Sequence, residues 1–189
     1  MQRMLVVTAV VTVVLTASIA VAGTTSPAPA HSTAQATRGA LVHLHNQDGD
    51  RVGRAVLTQR GDAVQVAVAV HHLPPGFHGF HVHEVGQCTP PFTSAGGHFN
   101  STQQSHAHHA GDMPVLLVNA NGTAQTSFPT DRFRVNDLVD TNGSALIIHA
   151  NPDNYANIPR DRYDPDPDAL TLATGDAGDR IACGVIQRQ

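Results

Sequence analysis

From Ala63 to Val70 the chain reads AVQVAVAV, with Val64, Val66, Val68 and Val70 on one side of a period of two. That period belongs to a β-strand with one face in a core, because successive side chains of a strand point to opposite faces. The signature recurs along the chain. Ala40 to His45 and Val52 to Gln59 come before it, set off by Asn46 to Asp50 and by Arg60-Gly61-Asp62, which are residues of short turns. Leu73-Pro74-Pro75-Gly76 interrupts the run and Phe77 to Val85 resumes it. Val115 to Val118 and Ala124 to Phe128 flank the hairpin dipeptide Asn121-Gly122 and are expected to pair. Leu146 to His149 reads as a buried strand and Ile181 to Ile186 as the last one. No segment sustains a helical period. The expected fold is an all-β domain of about eight antiparallel strands, a β-sandwich or flattened barrel. Hydrophobic residues make up 41% of the chain but aromatics only 4%, with no Trp, so the core must be built mainly of Val, Leu, Ile and Ala. One long Pro- and Asp-rich loop, Asn151 to Asp179, precedes the last strand, and loops of that length in a compact domain are usually functional.

The domain is expected over residues 39–189, behind two segments of different character. Residues 1–22 read as a signal peptide: Arg3 is the basic start, Leu5 to Ala20 is apolar and small, and Ala20-Val21-Ala22 fits a small-x-small cleavage site. The rival is an uncleaved membrane tether, since the run approaches the roughly 20 residues that span a bilayer. Residues 23–38, rich in Pro, Ala, Ser and Thr, read as a flexible linker that holds a solvated His31. Either reading makes the protein exported, whether periplasmic, held in the cell envelope or secreted. In such a compartment Cys88 and Cys183 are more often a disulfide than two free thiols. A net charge of -4, no Lys and no basic run argue against a nucleic-acid partner.

The stretch Gly76 to Pro114 holds seven of the thirteen histidines, more than packing requires, and imidazole is a common ligand for copper and zinc. On a strand His81 and His83 point the same way. Gly96-Gly97-His98 adds a third imidazole where glycines let the backbone approach closely. His149 ends a buried strand and supplies a fourth. Four imidazoles without a thiolate suit Cu(II). His106, His109 and Asp112 form a second group, whose nitrogen and carboxylate donors suit zinc, and His98 lies between the two groups. His43 and His45 share the His-x-His spacing but no further ligand accompanies them, so they are read as a solvated face. His78 is read as making a structural hydrogen bond, and His71 and His72 as exposed loop residues.

The segments GFHGFHVHE, AGGHFN, HAGDMP, IIHANPDN and GDAGDRIACGVI occur in that order, and through them the chain resembles the copper/zinc superoxide dismutase family. The likeness covers most of Ala40 to Gln187. It implies a Greek-key barrel with two long functional loops, and an enzyme that turns superoxide into oxygen and hydrogen peroxide. It implies copper on His81, His83, His98 and His149, and zinc on His98, His106, His109 and Asp112, with His98 shared. Asp153 matches a carboxylate that links a copper histidine to a zinc histidine, Arg180 an arginine that docks the anion, and Cys88 with Cys183 the family's disulfide. The loop from His106 to His109 is shorter than in better-known members and also holds His108, so either His106 or His108 could be the zinc ligand. Arg160 and Arg162 are candidates for steering superoxide. A homodimer is compatible with the family. The alternative is an exported copper-binding protein of this fold without turnover.

Overall fold

The structure, a computed structural model, describes residues 39–158 and 167–189. The expected signal peptide, the linker, Arg160 and Arg162 lie outside the described residues. The described chain forms β1 (Gly39–His45), β2 (Arg51–Arg60), β3 (Ala63–Val70), β4 (Gly76–His78), β5 (Phe80–His83), β6 (Leu116–Val118), β7 (Ala124–Thr130), β8 (Ala145–His149), β9 (Arg180–Val185) and β10 (Gln187–Arg188), with one short α-helix, α1 (Ala169–Thr174), and two single-turn 3-10 helices, Thr93–Ala95 and Val135–Leu138.

The alternation in β3 does what its period requires: Val64, Val66, Val68 and Val70 are all buried. Each such side chain contributes about 2 kcal/mol relative to an exposed position. Antiparallel pairing builds one curled sheet in the order β5-β8-β9-β1-β2-β3-β7, with β10 beside β1, and a two-stranded sheet of β4 and β6. The curl continues through two turns. β4 runs into β5 at Gly79, and β6 leads into β7 through a tight turn in which Asn119 accepts from Gly122 N at 2.9 Å and donates to Thr123 O at 2.8 Å. The all-β Greek-key barrel is therefore the fold observed.

Three local expectations are corrected. Phe77 to Val85 is not one strand but two, because Gly79 turns its backbone aside, donating to Asn151 O and accepting from His149 N, each at 2.8 Å. A side chain at Gly79 would meet Ala177 Cβ at 2.6 Å, so the break requires glycine. The Asn121-Gly122 turn forms, but its flanking strands do not pair with each other: the three residues of β6 pair with β4, and β7 pairs along β3. The long loop after His149 is not wholly irregular, since α1 lies within it. Asp168 accepts from Thr171 N at 2.8 Å to start that helix, and left-handed Gly175 ends it.

Two apolar clusters set the position of the site. The larger fills the barrel and includes Phe80, Val82, Leu146 and Ile148. The smaller, Phe92, Ala95, Ala145, Ile147 and Cys183, lies on the other face of β8 and β9. These strands are buried on both faces because the loop from Glu84 to Gly97 covers them. The Cys88–Cys183 disulfide, which joins residues 95 apart in sequence, ties that loop to β9.

Candidate metal centre

In β5 the alternation sends Phe80 and Val82 into the barrel and His81 and His83 to the covered outer face. Opposite them on β8 stand Ile147 and Ala145. The free edge of β5 then organises the loops. Glu84 N donates to Gly97 O at 3.0 Å, Phe99 N to Val82 O at 2.8 Å, and Val82 N to Gly111 O at 2.9 Å. Single antiparallel bridges set His83 against His98 and His81 against Asp112. A shift in register between Ile148 and His149 places Arg180 of β9 directly opposite His149. Residues from five parts of the sequence thus converge because one strand edge templates two loops.

His81, His83, His98 and His149 are all buried, with donor atoms within 4.8 Å of one another. Their outer nitrogens are already committed. His83 Nδ1 donates to Gly96 O and His149 Nδ1 to Gly178 O, each at 3.0 Å, which leaves their Nε2 atoms facing each other at 3.3 Å. His81 Nε2 donates to Asp153 Oδ2 at 2.5 Å, and its Nδ1 is buried with no protein partner. Burial lowers His81 to about 4, against the opposing hydrogen bond to Asp153; burial, then the neighbouring histidines, lowers His149 to about 3 and holds His83 well below the usual imidazole range. His81, His83 and His149 are therefore neutral at pH 7, with a free ring nitrogen of each pointing inward. Such an arrangement is costly without a cation and suited to one.

The second group is His98, His106, His109 and Asp112, also buried. His98 Nδ1 lies 2.8 Å from Asp112 Oδ1 and 3.3 Å from His109 Nδ1. Asp112 Oδ2 lies 3.1 Å from His106 Nδ1 and 3.4 Å from His109 Nδ1. Donors around a tetrahedral zinc with bonds of about 2.0–2.1 Å are spaced by roughly 3.3 Å, so the set fits that ion. His106 Nδ1, like His81 Nδ1, is buried without an aligned hydrogen-bond partner. Burial would lower His106, but Asp112 and Asp153 outweigh it and push it up to about 9. Burial would likewise raise both carboxyls, but the hydrogen bonds from the histidines hold Asp112 and Asp153 well below the usual carboxylate range.

Asp153 joins the groups, accepting from His81 Nε2 and, at 2.7 Å, from His106 Nε2. Its two oxygens leave each ring only Nδ1 to offer a metal. Arg180 donates to Phe92 O and Gly96 O at 2.5 and 2.6 Å; burial lowers it, and a guanidinium stays charged all the same. Of the two candidates in the short loop, His106 is in the group and His108 is exposed. His43, His45, His71 and His72 are exposed too. His78 faces His149 O at 2.7 Å and Pro74 O at 2.8 Å, a structural role. Sequence reasoning missed Glu84, whose carboxylate accepts from Gly97 N at 3.0 Å, and the carbonyls of Gly96 and Gly178. The glycine pairs were visible in the sequence, but which carbonyl would face a ring was not.

A family model described as copper/zinc superoxide dismutase matches residues 51–186. The chain is 39% identical over 184 residues to a superoxide dismutase (Cu-Zn) of Mycolicibacterium paratuberculosis, covering 87% of this chain and 79% of that one. It is 41% identical over 158 residues to a superoxide dismutase (Cu-Zn) of Mycobacterium tuberculosis, covering 74% of this chain and 66% of that one. Its fold is similar to that of the Cu/Zn superoxide dismutase from Brucella abortus, with a TM-score of 0.63 and 28% identity over 79% of this chain and 99% of that one.

Proposed function

The chain belongs to the copper/zinc superoxide dismutase family, and from that premise we propose how its own residues carry out the reaction. It is an oxidoreductase that acts on superoxide with copper and zinc as cofactors. His81, His83, His98 and His149 are the copper ligands, and His98, His106, His109 and Asp112 the zinc ligands. The observation that carries this reading is the commitment of the outer ring nitrogens: with those bonded to the carbonyls of Gly96 and Gly178 and to Asp153, His83 Nε2 and His149 Nε2 face each other at 3.3 Å and His81 Nδ1 and His106 Nδ1 are buried with no aligned partner. Held by His81, His83, His98 and His149, copper would supply the one-electron redox chemistry by which two superoxide ions and two protons become oxygen and hydrogen peroxide.

The protein's part is binding, orientation and proton supply. Arg180 offers a fixed positive fork opposite His149 and docks the anion. His98 presents Nδ1 to Asp112, which fixes the ring and leaves Nε2 to hold a proton and release it to the second superoxide. Asp153 keeps His81 and His106 in one tautomer each. The Cys88–Cys183 disulfide supports export, because such bonds persist in oxidising compartments. The copper-binding alternative without turnover is not favoured, since a cation held opposite a copper histidine serves an anionic substrate rather than storage.

A superoxide-consumption assay on metal-loaded protein tests the reading. Replacing His149 with Ala should abolish turnover and release copper, while His43→Ala should match wild type. Copper bound without turnover in the wild type would sink the enzyme assignment.

A further inference from the structure

Arg132 lies in the loop after β7, away from every proposed ligand in sequence, and its side chain is exposed. Its Nη1 nevertheless donates to three backbone carbonyls: Ala107 at 2.9 Å, His109 at 3.2 Å and Asp112 at 3.4 Å. All three belong to the short segment 106–112, which carries every non-shared member of the second metal group. That segment has no helix or strand of its own. Its backbone is held by single bonds rather than a ladder, among them His106 N to Leu172 O at 3.3 Å, His108 N to Ser105 O at 2.7 Å, Asp112 N to His109 O at 3.2 Å, Gly111 N to Phe99 O at 2.7 Å and Val82 N to Gly111 O at 2.9 Å. With two residues between His106 and His109, it is too short to pack an apolar core beneath itself.

We propose that Arg132 is a positioning residue for zinc, fixing the backbone from which His106, His109 and Asp112 reach the ion without touching the ion or the imidazoles. This rests on the reading of those residues as zinc ligands. The physical basis is a charged, planar donor meeting three carbonyls of one short segment, and such charge-assisted bonds are about twice as strong as neutral ones. Groups that hold ligands in place typically account for about 10–100-fold in metal affinity. Because Arg132 is exposed, truncating it opens no hole in the core.

The test compares wild type, Arg132→Ala, Arg132→Lys and Arg134→Ala, all loaded with copper and zinc. Arg134 pairs with Asp62 rather than with the loop, so its variant removes the same charge as a control. Metal content is measured first, then the rates at which zinc and copper pass to a colorimetric chelator. Arg132→Ala should release zinc about 10–100 times faster while copper release stays at the wild-type rate. Lysine, with its charge but no fork, should fall between the two, and Arg134→Ala should match wild type. Zinc release from Arg132→Ala at the wild-type rate overturns the proposal. So does an equal acceleration of zinc and copper, which would mark general loosening. A wild type that takes up copper but no zinc overturns the zinc-ligand reading itself, and the role of Arg132 with it.

Discussion

His81 and His43 each open a His-x-His pair on a strand, yet His81 is fully buried and His43 exposed. The spacing is the same; what differs is the loop that covers the outer face of β5 and leaves β1 open. Burial then determines how the site responds to pH. Unfolded histidines titrate near their ordinary value of about 6.5. Native His81 and His149 stay neutral down to about 4 and about 3. Over that interval the unfolded chain binds more protons, so stability falls as pH falls. Depressed Asp112 and Asp153 extend the loss below the ordinary carboxylate range. His106 runs the other way: raised to about 9, its contribution is full below its unfolded value and is lost as pH rises through 9. The metal-free protein should therefore be most stable near about pH 6.5, with its melting temperature falling on both sides. A melting temperature that climbs steadily from acid to alkaline pH would contradict this assignment of charge states.

At the scale of elements, α1 ends where the site needs space. Gly175 has φ of 61° and donates to Thr171 O at 2.9 Å, and a β-carbon there would collide with Asp153 Oδ1 and His106 Nε2. Gly175→Ala should cost at least about 1–2 kcal/mol for the left-handed backbone alone. It should also part Asp153 from His106, so metal analysis of the variant should show zinc depleted and the melting temperature lowered. Zinc content equal to wild type would show that the bridge tolerates the methyl group. The helix itself was not legible in the sequence. Six residues are too few for a helical period to emerge, although Asp168 and Gly175 are ordinary start and stop signals. The strands were legible because a period of two declares itself within a few residues, and β3 is the clearest case. The pairing of β6 with β4 was not, because the hairpin turn names its neighbours but not the sheet each will join. Among the site residues, His81 and His83 could be read from local spacing, and His98 from its two glycines. Arg132 could not: no local pattern connects a loop arginine to carbonyls some 20 residues earlier.

For the molecule as a whole, the difficulty is charge. The chain carries a net charge of -4 and its substrate is an anion, so attraction must be local. Arg180, half-buried opposite His149, is the fixed positive group at the site. Its reach depends on ionic strength, because the Debye length shrinks from about 30 Å at 0.01 M salt to about 8 Å at 0.15 M. The second-order rate with superoxide should fall as salt is raised over that range, and a flat profile would remove steering from the account. The loop that holds Arg180 is fastened to the same strand by Cys88–Cys183, so the field and the scaffold share an anchor.

The peptide oxygen of Gly96 receives both His83 Nδ1 at 3.0 Å and Arg180 Nη2 at 2.6 Å. Gly96 has φ of 74°, and a β-carbon there would press on Glu84 at 2.9 Å, so only glycine presents the oxygen at this point. The separation of the Arg180 guanidinium from the His83 ring is thus gauged from a single atom rather than from two independently placed side chains. A displacement of that one peptide group shifts the guanidinium and the imidazole together, so a substitution at Gly96 should disturb both at once.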